Sequence, residues 1–190
     1  MKKIFIKNMV CDRCIKVVRE ELQKLNLNVE NVILGEANIL DDESKINIPK
    51  IKEVLENNGF ELLDDKQARI IEKIKITVIE LIQKQLDEEI GSISFSKYIT
   101  DKLGLSYQHL SNLFSSKEGI TLEKYIINQK VEKVKELLVY GELTLSEISY
   151  KLGYSSVQHL SNQFKKVTGF SPSEFKKLKN KKRIPLDKLK

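Results

Sequence analysis

The pentapeptide Gln-His-Leu-Ser-Asn occupies residues 108–112 and returns unchanged at residues 158–162, an offset of 50 positions (158 − 108). The match continues outward at the same offset, since Phe114 corresponds to Phe164. A constant offset over many positions is typical of a duplicated structural unit. We therefore expect two copies of one structural element in the second half of the chain.

Charge separates this half from the rest of the chain. The 190 residues carry a net charge of +6. Through Ile90 there are 15 Lys and Arg against 18 Asp and Glu, and after it 18 against 9, so the net charges are −3 and +9. A basic half favours a polyanionic partner. A basic surface that serves only solubility is the alternative.

The composition, 41% hydrophobic and 32% charged, is typical of a globular protein with one large or two small domains. No signal peptide or membrane span is expected, because the apolar run 76–82 contains Thr77 and Glu80. We expect a cytoplasmic protein that makes no membrane contact. No pattern in the sequence suggests an enzyme.

Residues 1–65 alternate between strand and helix patterns. Short β-rich runs occupy 3–7 and 29–40, the latter interrupted at Gly35, and a last one follows at 60–63. Helical spacing lies between them, at 11–25 and from Pro49 onward. The order βαββαβ predicts an α+β ferredoxin-like sandwich.

Both cysteines, Cys11 and Cys14, lie in one Cys-x-x-Cys, and Cys14 is expected to enter the first turn of a helix. A helix dipole favours a thiolate in the first turn, so we expect a lowered thiol pKa. Soft thiolates favour Cu(I), whereas zinc normally takes four ligands, which two subunits together would supply. Three interpretations stay open: a metal site, a thiol redox pair, or a domain kept for dimerisation or an unrelated ligand.

The stretch MVCDRC at residues 9–14 resembles the heavy-metal-associated domains of copper chaperones and metal-transporting ATPases, whose signature is Met-x-Cys-x-x-Cys. Gly59-Phe60 is similar to the Gly-aromatic pair near the end of such domains, and the resemblance covers about residues 1–65. It implies that Cys11 and Cys14 are thiolate ligands. It also implies that Met9 packs beneath the loop.

Residues 66–90 predict one long amphipathic connector helix. Apolar residues recur at spacings of three and four from Ile70 to Leu86. About 20 helical residues span roughly 30 Å. Such a helix can transmit movement between domains, form the seam of a homodimer, or simply pack in a core.

Residues 91–178 predict an all-α domain in which each copy is a helix, a tight turn and a second helix. The second helices are expected at about 107–117 and 156–166, with a linker helix at 122–140 between the copies. Nineteen helical residues span about 28 Å, close to the roughly 34 Å between successive major-groove faces of B-DNA. Two helix-turn-helix units in one chain would thus reach adjacent major grooves.

The second helices divide into an apolar and a polar face. Leucine and phenylalanine fall in one phase and are expected in the core, together with Leu113, Val157 and Val167. The opposite phase carries short amides and hydroxyls, which suit base edges in DNA; a merely solvated face is the alternative. The candidate DNA-binding residues of that phase are Gln108, Ser111, Asn112, Gln158, Ser161, Asn162 and Lys165.

Three stretches, at 152–154, 160–166 and 169–175, resemble the signature of the AraC/XylS transcription regulators, and 110–114 resembles its first-unit counterpart. The likeness runs from about residue 74 to 178. It implies two helix-turn-helix units that bind double-stranded DNA and regulate transcription. It also implies a base-facing role for Val157.

Three positions depart from that family. Asn112 and Asn162 stand where arginine is common, and Lys130 of the linker helix also stands where arginine is frequent. Arginine is the best bidentate donor to guanine, whereas asparagine matches adenine. We therefore expect a target rich in A·T pairs.

The tail, residues 179–190, begins with a run of basic residues. Such a run is typically disordered. Additional contacts to DNA phosphates are the functional alternative.

Overall fold

The structure is a computed structural model that describes residues 1–87, 93–178 and 186. The predicted tail, 179–190, therefore lies outside the described residues except for Leu186. Residues 88–90 of the predicted connector also lie outside them. The chain forms two compact units, Met1–Ile76 and Thr77–Lys190. The division falls inside one helix, α3 (Lys66–Asp87), whose first part belongs to the first unit and whose second part belongs to the second.

The first unit contains the βαββαβ succession predicted from the sequence. Its strands form one antiparallel sheet in the order β2-β3-β1-β4. A short 3-10 helix, Glu43–Lys45, precedes the second helix. In chain order the elements are β1 (Lys2–Lys7), α1 (Asp12–Lys24), β2 (Val29–Ile33), β3 (Glu36–Ile39), α2 (Ile48–Asn57) and β4 (Glu61–Leu62).

Alternation along β1 gives the sheet two different faces. Ile4 and Ile6 are buried in a core that α1 and α2 also line, as expected for strands with period two. Phe5 points to the opposite face, where the guanidinium of Arg69 lies 4.4 Å from its ring centroid. Arg69 also donates from Nε to the Leu63 carbonyl, at 3.2 Å. The first part of α3 therefore packs against the second face of the sheet.

The second unit is helical throughout its described residues, apart from short turns. The observed boundaries differ from the predicted ones by no more than a few residues. None of the described helices is both long and apolar enough to cross a bilayer. After α3 the helices are α4 (Phe95–Leu103), α5 (Tyr107–Glu118), α6 (Leu122–Tyr140), α7 (Leu145–Lys151), α8 (Val157–Thr168) and α9 (Pro172–Lys177).

Capping side chains determine where these helices begin. Ser106 and Ser156 each accept a hydrogen bond from the backbone N–H three residues later. Thr144 and Ser171 form capping boxes, with Glu147 and Glu174 reaching back to the cap N–H. Each cap satisfies a donor that would otherwise lack a partner at a helix start, which stabilises the helix by about 1 kcal/mol.

The helix α6 is the central element of the second unit. It contacts α5, α7, α8 and α9. It buries polar as well as apolar side chains: Gln129 donates to the Tyr125 hydroxyl at 2.9 Å, and buried Lys135 pairs with buried Glu132. Both helix-turn-helix units are thus built on one continuous helix.

We predict that Gly35→Ala destabilises the protein more than Gly59→Ala does. Both glycines have φ near +80°, so both substitutions strain the backbone by about 1–2 kcal/mol. A Cβ at position 35 would also lie 2.4 Å from Cδ1 of Ile76, whereas one at position 59 would meet nothing within 4 Å. Overpacking of this kind adds about 1 kcal/mol. Denaturant unfolding measures the two free-energy changes.

Ile76→Val removes the Cδ1 atom and provides the control. In that background the two glycine substitutions should destabilise the protein equally. A difference that persists after removal of Cδ1 would show that the Ile76 contact is not its cause.

Candidate DNA-binding surface

The second helix of each helix-turn-helix unit, α5 or α8, follows a short turn that contains a glycine with positive φ. Gly104 (φ +65°) lies in the turn 104–106, and Gly153 (φ +66°) lies in the turn 152–156. Glycine adopts this backbone conformation without the Cβ clash that other residues meet. The two second helices are therefore introduced by turns of similar chemistry but different length.

The inner face of each second helix is buried completely. Leu110 and Phe114 of α5 have no exposed surface, and neither do Leu160 and Phe164 of α8. This part of the predicted core is confirmed. The other three residues predicted as core are only partly buried: Leu113, Val157 and Val167. They lie toward the edges of the apolar face. Helical periodicity assigns a residue to this face but does not distinguish the edge of the face from its centre.

The opposite faces carry the predicted DNA-binding residues toward solvent. Ser111, Ser161 and Val157 are half-buried. The remaining five are exposed: Gln108, Asn112, Gln158, Asn162 and Lys165. We call the Gln, Ser and Asn side chains of positions 108, 111 and 112, and of 158, 161 and 162, the reading faces.

Each reading face contains the same hydrogen bond. In α5, Gln108 Nε2 donates to Asn112 Oδ1 at 3.0 Å. In α8, Gln158 Nε2 donates to Asn162 Oδ1 at 2.9 Å. Residues four apart on a helix are neighbours, so the spacing of the pentapeptide places these amides together.

Val157 occupies a position whose counterpart in α5 is Tyr107 (157 − 107 = 50). The Tyr107 hydroxyl donates to Glu123 Oε1 of α6 at 2.7 Å. Burial, together with this carboxylate, raises the pKa of Tyr107, and the same hydrogen bond lowers the pKa of Glu123. Position 107 thus serves packing against α6. The base-facing role of Val157 remains a prediction.

The repeated histidines lie beside the reading faces and are both exposed. His159 Nδ1 is 3.1 Å from the Ser155 hydroxyl, and its ring meets Tyr154 edge-on with the centroids 5.6 Å apart. The equivalents of Tyr154 and Ser155 in the first copy are Gly104 and Leu105. The surroundings that orient the imidazole of His159 are therefore not shared by His109.

Lys130 of α6 connects the two helix-turn-helix units. Sequence reasoning missed this connecting role. Its ammonium donates to the Leu152 carbonyl at 2.7 Å, in the turn before α8. It lies 4.9 Å from the ring centroid of Phe95 in α4 and 5.1 Å from that of Tyr154. A lysine provides this single donor between two aromatic faces without the planar fork of arginine. The available signal was that Lys130 stands where arginine is frequent in the family that the sequence resembles, but α6 contains three other lysines and the sequence did not show what Lys130 contacts.

Burial changes the protonation of this cluster. It lowers the pKa of Lys130 from 10.5 to about 8, because the charged ammonium loses hydration. Burial also raises the pKa of the Tyr154 hydroxyl. At neutral pH the Tyr154 hydroxyl is therefore uncharged, whereas the Lys130 ammonium beside it carries its charge.

The two cysteines lie at the start of α1, with Cys11 as its N-cap residue and Cys14 in its first turn. Cys11 is exposed, Cys14 is partly buried, and their sulfur atoms are 3.6 Å apart. Cys14 lies in the first turn of α1, as predicted, but its pKa is raised rather than lowered. Burial outweighs the opposing backbone hydrogen bonds, so the expected effect of the helix dipole does not dominate.

The surroundings of this loop are well defined. Met9 is fully buried, as its resemblance implied. The N–H of Asn8 donates to Oε1 of Glu72 on α3 at 2.9 Å, and Asn8 has φ +73°. Within the described residues, no group of three or more His, Cys, Asp or Glu side chains is arranged to hold a metal ion. Of the site residues predicted in the first unit, the structure brings the side chains of Cys11 and Cys14 together.

Comparison with known proteins agrees with the geometry of the second unit. Residues 99–178 match the protein family described as "Helix-turn-helix domain". The Msm operon regulatory protein of Streptococcus mutans is 29% identical over 99 residues, 52% of this chain and 36% of that protein. The Xylose operon regulatory protein of Escherichia coli K12 is 33% identical over 78 residues, 41% of this chain and 20% of that protein.

A solved structure described as the C-terminal domain of AraT, a response regulator from Geobacillus stearothermophilus, is also similar. It is 24% identical, with a TM-score of 0.49, over 63% of this chain and 91% of that chain. The alignments with the two operon regulators span 36% and 20% of those proteins. The C-terminal part of this chain, residues 99–178, is thus similar to helix-turn-helix domains.

We predict that Lys130 makes stability depend on pH. Between pH 8 and 10.5 the folded protein releases the Lys130 proton while the unfolded chain retains it, so this group adds stability as pH rises. The added free energy of unfolding is roughly 3 kcal/mol at most. The free energy of unfolding of wild type minus that of Lys130→Met should therefore increase between pH 8 and 10.5. Denaturant unfolding measures both values.

Lys124→Met is the matched control, since Lys124 is an exposed lysine of the same helix. The free-energy difference from wild type should increase with pH more for Lys130→Met than for Lys124→Met. Equal pH trends for the two variants would contradict a lowered pKa at Lys130.

Proposed function

We propose that this protein is a sequence-specific DNA-binding regulator of transcription. The observation that carries the proposal is the duplicated reading face: α5 and α8 each present an exposed glutamine and asparagine beside a half-buried serine. Amide side chains on an exposed helix face can make paired hydrogen bonds to base edges in the major groove. The similarity to operon regulatory proteins supports the same function.

Charge supports DNA as the partner. The part of the chain after Ile90 has 18 Lys and Arg against 9 Asp and Glu. Exposed Lys165 and Lys166 lie in the last turns of α8, where they can approach phosphates. Lysine–phosphate contacts supply affinity that does not depend on sequence, while the amides supply discrimination.

The base preference follows from Asn112 and Asn162. Asparagine pairs with adenine by donating to N7 and accepting from the N6 amino group. With arginine absent from these two positions, the bidentate contact to guanine is lost there. We therefore propose that each reading face prefers an A·T pair at the base that its asparagine contacts.

Selection of binding sites from random duplexes tests this preference. The full chain should enrich adenine at one position in each half of the site, and Asn112→Ala should remove the preference in one half. A correct bidentate contact is worth about 1–3 kcal/mol, so single-base replacement should weaken binding by about 10-fold or more. A guanine-dominated consensus in both halves would refute the proposal.

Asn31→Ala is the control variant, because Asn31 is an exposed asparagine on β2 of the first unit. It should leave both the consensus and the affinity unchanged. The same loss of preference in this variant would show that the effect does not arise at the reading face.

The first unit is proposed to be a ferredoxin-like domain of the heavy-metal-associated type, within residues 1–65. The antiparallel order β2-β3-β1-β4 and the succession βαββαβ support this assignment. So does the position of the two thiols where the loop after β1 enters α1, with Cys11 at the N-cap and Cys14 in the first helical turn. Its proposed role is to sense a ligand, and the second unit would bind DNA in response.

Cu(I) is the proposed ligand of Cys11 and Cys14. Their sulfur atoms lie 3.6 Å apart and one is exposed, which fits a soft ion of low coordination number held by two thiolates. Tetrahedral zinc would need two more ligands, such as those of a second subunit in a homodimer. The raised pKa of Cys14 means that ion binding must displace its proton, so affinity should rise with pH.

The helix α3 supplies a route from this loop to the rest of the chain. Glu72 is buried and holds the backbone N–H of Asn8, three residues before Cys11. The same helix continues to Asp87 in the second unit. A change of the loop on metal binding would therefore act directly on α3.

This sensing can be tested by measuring DNA affinity in three states of the thiols: reduced and metal-free, bound to Cu(I), and oxidised. The expected result is a change of at least several-fold between the reduced, metal-free protein and the Cu(I) form, because allosteric couplings are typically 1–3 kcal/mol. The change should vanish in Cys11→Ser with Cys14→Ser. That double variant should retain the metal-free affinity.

A thiol-redox sensor is the second candidate, favoured by the close approach of the two sulfur atoms. It predicts a change on oxidation and none with Cu(I). Equal affinity in the reduced, Cu(I) and oxidised states would contradict both kinds of sensor. DNA binding would then be constitutive, and dimerisation would be the remaining role of the first unit.

A further inference from the structure

We infer that the two helix-turn-helix units read the same base sequence, so that the target of one chain is one short sequence present twice. This inference rests on the proposed function, since it specifies what the proposed reading faces recognise. Duplicated units in one chain can diverge until each reads a different sequence. Here the residues of the two reading faces have not diverged.

Identity of the reading faces is complete. Positions 108–112 and 158–162 carry the same five residues. Burial also matches position by position: the glutamine, histidine and asparagine are exposed, the serine is half-buried, and the leucine is fully buried. Each reading face therefore has the same donors and acceptors at the same places on its helix.

The local geometry is repeated as well. The glutamine-to-asparagine hydrogen bond is 3.0 Å in α5 and 2.9 Å in α8. The capping serine accepts from the histidine N–H at 3.3 Å in the first copy and 3.1 Å in the second. Both helices thus start at the same point relative to their amides, so the amides point in equivalent directions from the helix.

The glutamine–asparagine bond leaves the asparagine able to read adenine. It occupies one lone pair of Oδ1, while the other lone pair and both Nδ2 hydrogens remain. These are the groups that an adenine edge requires. Because the bond already restricts two side chains, less rotamer freedom is lost when DNA binds. The same preorganised reader is present in both units.

One difference between the two second helices, near their ends, concerns affinity. Lys165 and Lys166 replace Ser115 and Ser116 at the end of the helix. Lysine there adds attraction to phosphates without changing which bases are read. The two copies of the target sequence should therefore be bound with unequal strength but with the same base preference.

The linker helix determines the spacing of the two copies. The 19 residues of α6 span about 28 Å. Second helices carried on one side of such a spacer reach successive major-groove faces, about 10 bp apart. The inferred target is thus two copies of one sequence with centres separated by about one helical turn.

Site selection with the full chain and two reciprocal variants tests the inference. Wild type should yield a bipartite consensus whose two halves have the same bases, in either relative orientation. Asn112→Arg and Asn162→Arg should each change adenine to guanine at the equivalent base of one half, and the two variants should change opposite halves. Asn31→Arg adds the same charge away from the reading faces and should change neither half.

The outcomes separate this inference from the proposed function. Two unrelated half-sites, each bound tightly and altered by one variant, would overturn the inference and leave sequence-specific binding intact. A site with a single recognised half would overturn it too. If no sequence is enriched over bulk DNA, the proposed function itself fails, and the inference fails with it.

Discussion

Burial of one face of each second helix is the constraint on which the rest of the second unit depends. Phe114 packs against Tyr125 of α6 with ring centroids 5.1 Å apart, and Phe164 packs against Phe175 of α9 at 5.5 Å. Fully burying a side chain of this size contributes about 1.5–3 kcal/mol. This anchoring fixes the rotation of each helix. The amides on the opposite side can face outward in a defined direction only because that rotation is fixed.

Most of the fold follows from periodicity and capping chemistry in the sequence. The linker helix was predicted at 122–140 and is observed as Leu122–Tyr140, because Thr121 caps its start and Gly141 adopts positive φ at its end. The role of α3 could not be derived in this way. Its apolar spacing shows that it is amphipathic, but not that Arg69 lies over Phe5. Which neighbours an amphipathic face meets is a property of the tertiary structure.

The candidate site was partly predictable for the same reason. Helical phase placed Gln108 and Asn112 on the exposed face and Leu110 in the core, since a four-residue spacing determines which side chains are neighbours. Two features of the site depend on the tertiary structure and could not be predicted from the sequence. Lys130 reaches residues 35 positions before it and 22 after it (130 − 95, 152 − 130). Burial in the folded protein raises the thiol pKa of Cys14. This effect is larger than the lowering by the helix dipole that was expected from the sequence.

If α5 and α8 engage one DNA duplex together through their reading faces, both helices should respond to the same duplex. The backbone amide signals of the full chain can be followed by NMR while a selected duplex is added. We expect the amides of residues 107–112 and 157–162 to change together and to reach saturation at one duplex per chain. A response confined to one of the two helices, or located in the sheet of the first unit, would contradict this joint engagement.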